Sequence, residues 1–295
     1  MIILLSAADI LQVCAEAGTI RKGETPLAGR KYGLDLGTMN IRIFQGGHGL
    51  VVYEKNMIAI QRKKEVAAIG NDAFEMYERT PASIVISNPV RDGVIADVNN
   101  MNKVTEALLK KCGCTTGFMR NNSFYLAVPS DVTEVEKRAY FDLIAHSAYN
   151  THNIFVVEKP LAAALGENVD VKSKKGMMIV DMGAGTTEIT VITMGGIVVS
   201  KLLKVGGNTI NASICQLVKE RHHLVIGDKT AEYLKLELGH AIPGQGRGKT
   251  VFGRDVITGL PSKAEVSDHL VFDSMKNYLF QVVRTIRNIM ETIPP

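Results

Sequence analysis

Two short stretches do most to limit what this chain can fold into. Residues 33–40 read GLDLGTMN and residues 178–187 read MIVDMGAGTT. Each ends an apolar, strand-like run with Asp, one apolar residue and Gly, then reaches a threonine. Each is followed by a second strand-like run and a Gly-Gly turn, at 46–47 and 195–196. Asp35 and Asp181 stand 146 residues apart (181 − 35). The same strand–turn–strand–turn–strand unit therefore occurs twice, which predicts two similar halves, each built on a hairpin-led sheet with helices packed on it.

The turns also carry chemistry. A tight glycine turn brings backbone N–H groups close to a ligand with no Cβ in the way, and such nests hold anions, phosphates above all. Each turn adds a carboxylate and a hydroxyl. Two carboxylates facing a polyphosphate point to a divalent cation, and Mg²⁺ is usually held by one or two carboxylates together with phosphate oxygens. One such turn alone is an ordinary hairpin. The pair, each just after an apolar strand, is what points to phosphate.

The chain has 295 residues, enough for roughly two domains at ~100–200 residues each. Hydrophobic residues make up 46% and can fill two cores, while 22% charged residues and a net charge of +4 give no block that calls for nucleic acid. Cys14, Cys112, Cys114 and Cys215 have no zinc-finger spacing and read as free thiols of a reducing cytoplasm.

Residues 1–17 are mostly apolar, with Ser6, Asp9, Gln12 and Glu16 in a narrow stripe along one helix face. The stretch is shorter than the ~20 residues of a membrane span and lacks the basic start of a secretory signal. It reads as a leader, with an interfacial helix as the alternative, and RKGETPLAGRK as a linker. Further on, helical spacing predicts helices from Asp97 to Lys111, over 131–148 with Thr133 and Glu136 as a capping box, and from about Ser267 to Glu291.

Three features need a decision. PGQGRGKT ends like a phosphate-binding P-loop, but Pro243 stands where the leading glycine belongs and no strand–loop–helix context surrounds it, so it reads as a flexible surface connection. Glu232 and Lys235 are spaced i, i+3 and share a helix face as an ordinary salt bridge. In VEKPLAAALG, Pro160 suits the first turn of a helix. Glu158 and Lys159 end the preceding strand and, by alternation, point to opposite faces.

Together LDLGTMN, RTPASIV, DGVIAD, EKPLAAALGEN, VDMGAGTTEITVIT, IGDKTAEYLKLELG and TGLP resemble the bacterial actins of the MreB rod-shape-determining type, within the actin–Hsp70–sugar-kinase superfamily. The likeness covers about residues 31–295. It implies an α/β, duplicated actin-like (RNase H-like) fold, with two lobes around a nucleotide cleft. The first lobe would be 31–175, with a small inserted subdomain at about 61–96. The second would be 176–295, with an insertion at about 209–266.

The resemblance further implies an ATP site. Gly37, Thr38, Met39 and Asn40 would form the first phosphate loop, and Gly183, Ala184, Gly185 and Thr186 the second. Gly206 and Gly207 would join the cofactor-binding set, and Glu232 and Lys235 fall where the family meets ribose and adenine. Asp35 and Asp181 would act on Mg²⁺ through its waters. Thr186, with Glu158, would orient the attacking water. The family polymerises into filaments under the inner membrane and scaffolds cell-wall synthesis, so the expected partners are other copies of the chain, the cytoplasmic membrane surface and cell-wall elongation proteins. Phe118 and Met119 sit at the loop that matches the family's membrane-touching one, with packing on the domain as the alternative.

The sequence departs from the family in three places. Lys159 stands where the family has a water-positioning Glu, and lysine only donates; the implied ATPase would be weak or slow. Ala184 replaces a glycine of the second loop. The chain ends at Pro295, before the family's glycine-rich adenine-binding turn. A non-hydrolysing, actin-derived interaction module is therefore the runner-up, followed by a sugar-kinase-like phosphotransferase.

Overall fold

A computed structural model describes residues 30–61, 65–114, 122–149 and 151–293. These divide into two compact units. One holds the described residues through Gly183 together with Glu188–Leu202, and the other holds Ala184–Thr187 and everything from Leu203. The expected leader helix and the Phe118-Met119 loop lie outside the described residues.

The first unit begins with β1 (Lys31–Leu36), β2 (Asn40–Gln45) and β3 (Gly49–Lys55). A small antiparallel sheet follows, from β4 (Ile58–Gln61), β5 (Val66–Ile69) and, after helix α1 (Asn71–Met76), β6 (Ile84–Ser87). The short pair β7 (Val90–Arg91) and β8 (Val94–Ile95) leads into α2 (Val98–Lys111), β9 (Asn122–Val128), α3 (Glu134–Ala145), β10 (Thr151–Glu158) and α4 (Lys159–Gly166). The main sheet has the order β10-β9-β1-β2-β3, with β9 parallel to both its neighbours and the β1–β2–β3 meander antiparallel.

Alternation along these strands separates two faces. Tyr32, Leu34, Leu36, Ile41, Ile43, Phe124, Leu126 and Val128 point one way and pack with Met101, Leu108, Leu109, Tyr140 and Ile144 from α2 and α3. Phe44, Tyr125, Ala127 and Val157 point the other way, against Ala162 of α4. Two predicted helices are capped at their starts, the second by the box read from the sequence. Asp97 accepts from the Asn100 N–H at 2.9 Å. Thr133 and Glu136 close a reciprocal box, in which Glu136 Oε2 accepts from the Thr133 N–H at 2.7 Å.

The second Asp-led stretch folds as β11 (Met177–Met182), β12 (Thr187–Thr193) and β13 (Gly196–Leu203), a three-stranded sheet in that order. Strand, Asp-led turn, strand, glycine turn and strand thus recur as the sequence repeat predicts.

The second unit contains α5 (Gly207–His222), β14 (Leu224–Val225), α6 (Asp228–Leu238), β15 (Gly248–Asp255), β16 (Pro261–Ser267) and α7 (Asp268–Thr292). Its core joins Ile210, Ile214 and Val218 of α5 to Ala231, Leu234 and Leu238 of α6, Val251, Val266 and Val271. The would-be P-loop residues Lys249 and Thr250 lie inside β15, paired with Val266 and Glu265. The loop before them is not the loose connection the sequence predicts. The N–H groups of Gln245, Gly246 and Arg247 donate to the wholly buried carboxylate of Asp268, at 2.9, 3.3 and 3.1 Å. A Cβ on Gly244 would collide with the same carboxylate.

Candidate functional site

The first unit gathers the charges. Asp35 on β1 pairs directly with Arg42 on β2, and on its other side with Ala127 of β9, which pairs in turn with Val157 of β10. This row shares one face of the sheet. Lys159 follows Val157 by two residues, at the start of α4, and its side chain returns to that face. Its Nζ lies 2.9 Å from Asp35 Oδ1, while Arg42 Nη1 donates to Asp35 Oδ2 at 3.1 Å. At Oδ1 the contact is charge against charge, with no donor aligned on the oxygen. The Asp35 side chain is only 7% exposed.

Burial by itself would raise the pKa of Asp35, but the Lys159 ammonium and the Arg42 guanidinium outweigh it and hold the carboxyl below the usual range. Burial likewise opposes the charge on Lys159. The carboxylates of Asp35 and Asp181 overcome it and keep the ammonium protonated well above the ordinary lysine range. Asp181, at the end of β11, is pushed up by burial, with Lys159 pulling the other way. Three of the residues read from the sequence, Asp35, Lys159 and Asp181, therefore form one electrostatic group.

Arg42 belongs to that group and the sequence reading missed it. The signal was available: in a hairpin whose turn is 37–39, position 42 faces position 35. Glu158 does not join. It pairs with Val128 in the β10–β9 register, and by alternation points to the face opposite the row of Asp35, Ala127 and Val157. No side-chain bond from Glu158 caps α4.

The first loop is held by its backbone. The Gly37 N–H donates to Asn40 O at 3.0 Å, Asn56 Nδ2 to Gly37 O at 2.8 Å, and Asn88 Nδ2 to Thr38 O at 3.3 Å. A Cβ on Gly37 would stand 2.8 Å from Asn40 O, so the turn excludes a side chain there. Asn56 and Asn88 come from outside the motif, and no spacing marks them. In the second loop, Ala184 O accepts from the Asn208 N–H at 2.7 Å, next to Gly206, which caps α5, and Gly207, which begins it. Gly183, Gly185 and the partly buried Thr186 complete that turn.

In the second unit, Lys235 Nζ and Asn211 Nδ2 both lie 2.7 Å from Glu232 Oε2, and Lys235 also donates to Gly207 O at 3.3 Å. The pair is thus part of a network at the start of α5. Lys249 of the false P-loop is paired instead with Glu237, at 2.8 Å.

This geometry bears on the expected role of Asp35 on Mg²⁺. Both Asp35 oxygens already face fixed cations, so a divalent ion there would share one carboxylate with Lys159 and Arg42 and be repelled by both. Asp35 is therefore a poor direct ligand for the ion.

The sequence profile described as MreB/Mbl protein matches residues 29–295. The chain is 34% identical over 272 residues to the cell shape-determining protein Mbl of Bacillus cereus, covering 90% of this chain and 80% of that protein. It is 35% identical over 271 residues to the cell shape-determining protein MreB of Escherichia coli, covering 89% and 77%. The crystal structure of MreB5 of Spiroplasma citri bound to ADP superposes with a TM-score of 0.85 at 30% identity, covering 92% of this chain and 81% of that one. The AMPPNP-bound form of the same protein gives 0.83.

Proposed function

Because the chain belongs to the MreB/Mbl family of cell shape-determining, actin-like proteins, we propose that it is an ATP-binding bacterial actin that hydrolyses its nucleotide weakly or slowly. In this reading it assembles into filaments at the inner face of the cell membrane and there scaffolds cell-wall synthesis and rod shape. The solved ADP and AMPPNP complexes of MreB5 support the nucleotide reading.

In this reading each of the two turns, 37–40 and 183–186, is a phosphate loop, the Gly37 N–H itself being already donated to Asn40 O. Within the second unit, Glu232 and Lys235 offer an acceptor and a donor to the ribose and base. Thr186 orients the water. A general base must accept a proton, and Lys159, held as an ammonium by Asp35 and Asp181, has no lone pair to offer.

Lys159 on Asp35 is the observation that sets binding above hydrolysis. It also favours the second reading, a polymer or interaction module without hydrolysis. Sedimentation with ATP, ADP or no nucleotide, run alongside phosphate release, separates the two. Nucleotide-dependent pelleting with slow phosphate release is the expected result. Pelleting with none supports the module, and sugar-dependent ADP formation would sink both. We assign a shallow contact with the membrane to Phe118-Met119. No helix among the described residues is long and apolar enough to cross a membrane. Co-sedimentation with anionic vesicles, lost in Phe118→Ser/Met119→Ser, tests the surface contact.

A further inference from the structure

The group around Asp35 is charge-balanced without help. It holds two carboxylates, Asp35 and Asp181, and two cations, Lys159 and Arg42, whereas the same two carboxylates alone would need a divalent ion to sit beside a triphosphate. Arg42 is spent as the cross-strand partner of Asp35. Lys159 is placed differently. It projects from the first turn of α4, its side chain is still 21% exposed, and it lies in the fields of both carboxylates. An ammonium carries three donors, and Asp35 faces only one side of it. Lysine is a regular phosphate ligand, acting as a point charge.

We propose that the Lys159 ammonium takes the place of the divalent cation, so that this chain binds the phosphate end of an adenine nucleotide without Mg²⁺. The inference rests on the nucleotide binding proposed above. The metal-free nucleotide carries more negative charge than its Mg²⁺ complex and meets a cation held 2.9 Å from the Asp35 carboxylate. Glu at this position would add a third carboxylate and return the site to a net charge that calls for a metal.

Titration calorimetry of the full chain with ATP, once in excess EDTA and once in excess MgCl₂, tests this. The expected dissociation constants agree within about threefold, under 1 kcal/mol. Binding tighter in Mg²⁺ by about tenfold or more overturns the inference and leaves the nucleotide reading standing. No binding in either buffer overturns both. Lys159→Gln is expected to weaken binding in EDTA about tenfold, and Lys159→Glu to make binding depend on Mg²⁺. The wild-type comparison decides the matter even if either variant fails to fold.

Discussion

Lys159 Nζ stands 2.9 Å from Asp35 Oδ1, although Lys159 begins the helix that follows β10, and β10 reaches β1 only across β9. A residue at the start of a helix thereby fixes the charge of a residue at the end of a distant strand. Lys159→Met removes one of the two cations on a nearly dry carboxylate. The expected cost is about 1–3 kcal/mol, below the ~3–5 of breaking a fully buried pair, because Arg42 remains. Urea unfolding of the two proteins measures it; a change under about 0.5 kcal/mol would mean that the pair is unimportant for the fold.

The same pair sets a pH dependence. Asp35 has a depressed pKa, so its contribution is present above the unfolded value near ~3.9 and is lost as pH falls through the folded one. Lys159 has a raised pKa, so its contribution is present below ~10.4 and is lost only as pH rises through its higher folded value. The stability difference between wild type and Asp35→Asn should stay level from about pH 5 to 9 and shrink toward pH 3. A difference that grew in acid would reverse the sign and refute the assignment.

Gly37→Ala puts a methyl 2.8 Å from Asn40 O in the first loop. The backbone must shift, so ATP affinity is expected to fall about tenfold or more, with a stability loss of about 1–3 kcal/mol. Unaltered affinity would show that the loop does not touch the phosphates.

Asp268→Ala leaves three backbone N–H groups of the 245–247 loop without their acceptor. The expected loss is about 2–4 kcal/mol, and the loop should open to trypsin at Arg247 well before the protein unfolds globally. Equal cleavage rates in the two proteins would show that Asp268 does not anchor the loop.

Glu232→Ala removes the acceptor shared by Lys235 and Asn211. ATP affinity should fall about threefold to tenfold while affinity for pyrophosphate, which lacks ribose and base, stays the same. A parallel loss for both ligands would remove Glu232 from the nucleoside end.

Much of this was legible along the chain because it is local. The Asp–x–Gly turns, the capping box at Thr133 and the failure of the false P-loop all follow from residues within a few positions of each other. The sequence placed both Glu158 and Lys159 at the strand end, whereas β10 stops at Glu158 and Lys159 begins α4, so alternation does not place Lys159. The sequence also marked Lys159 as the residue out of place. It did not say what the ammonium would do, because its partner lies two strands away. Nor did it single out Arg42, whose role comes from the hairpin register, or Asp268, whose three N–H partners arrive from a loop about twenty residues earlier. Pattern and propensity act over single turns and strands. Which charges neutralise one another is decided by sheet order and register, and here these placed two cations on Asp35 where the motif alone called for a metal.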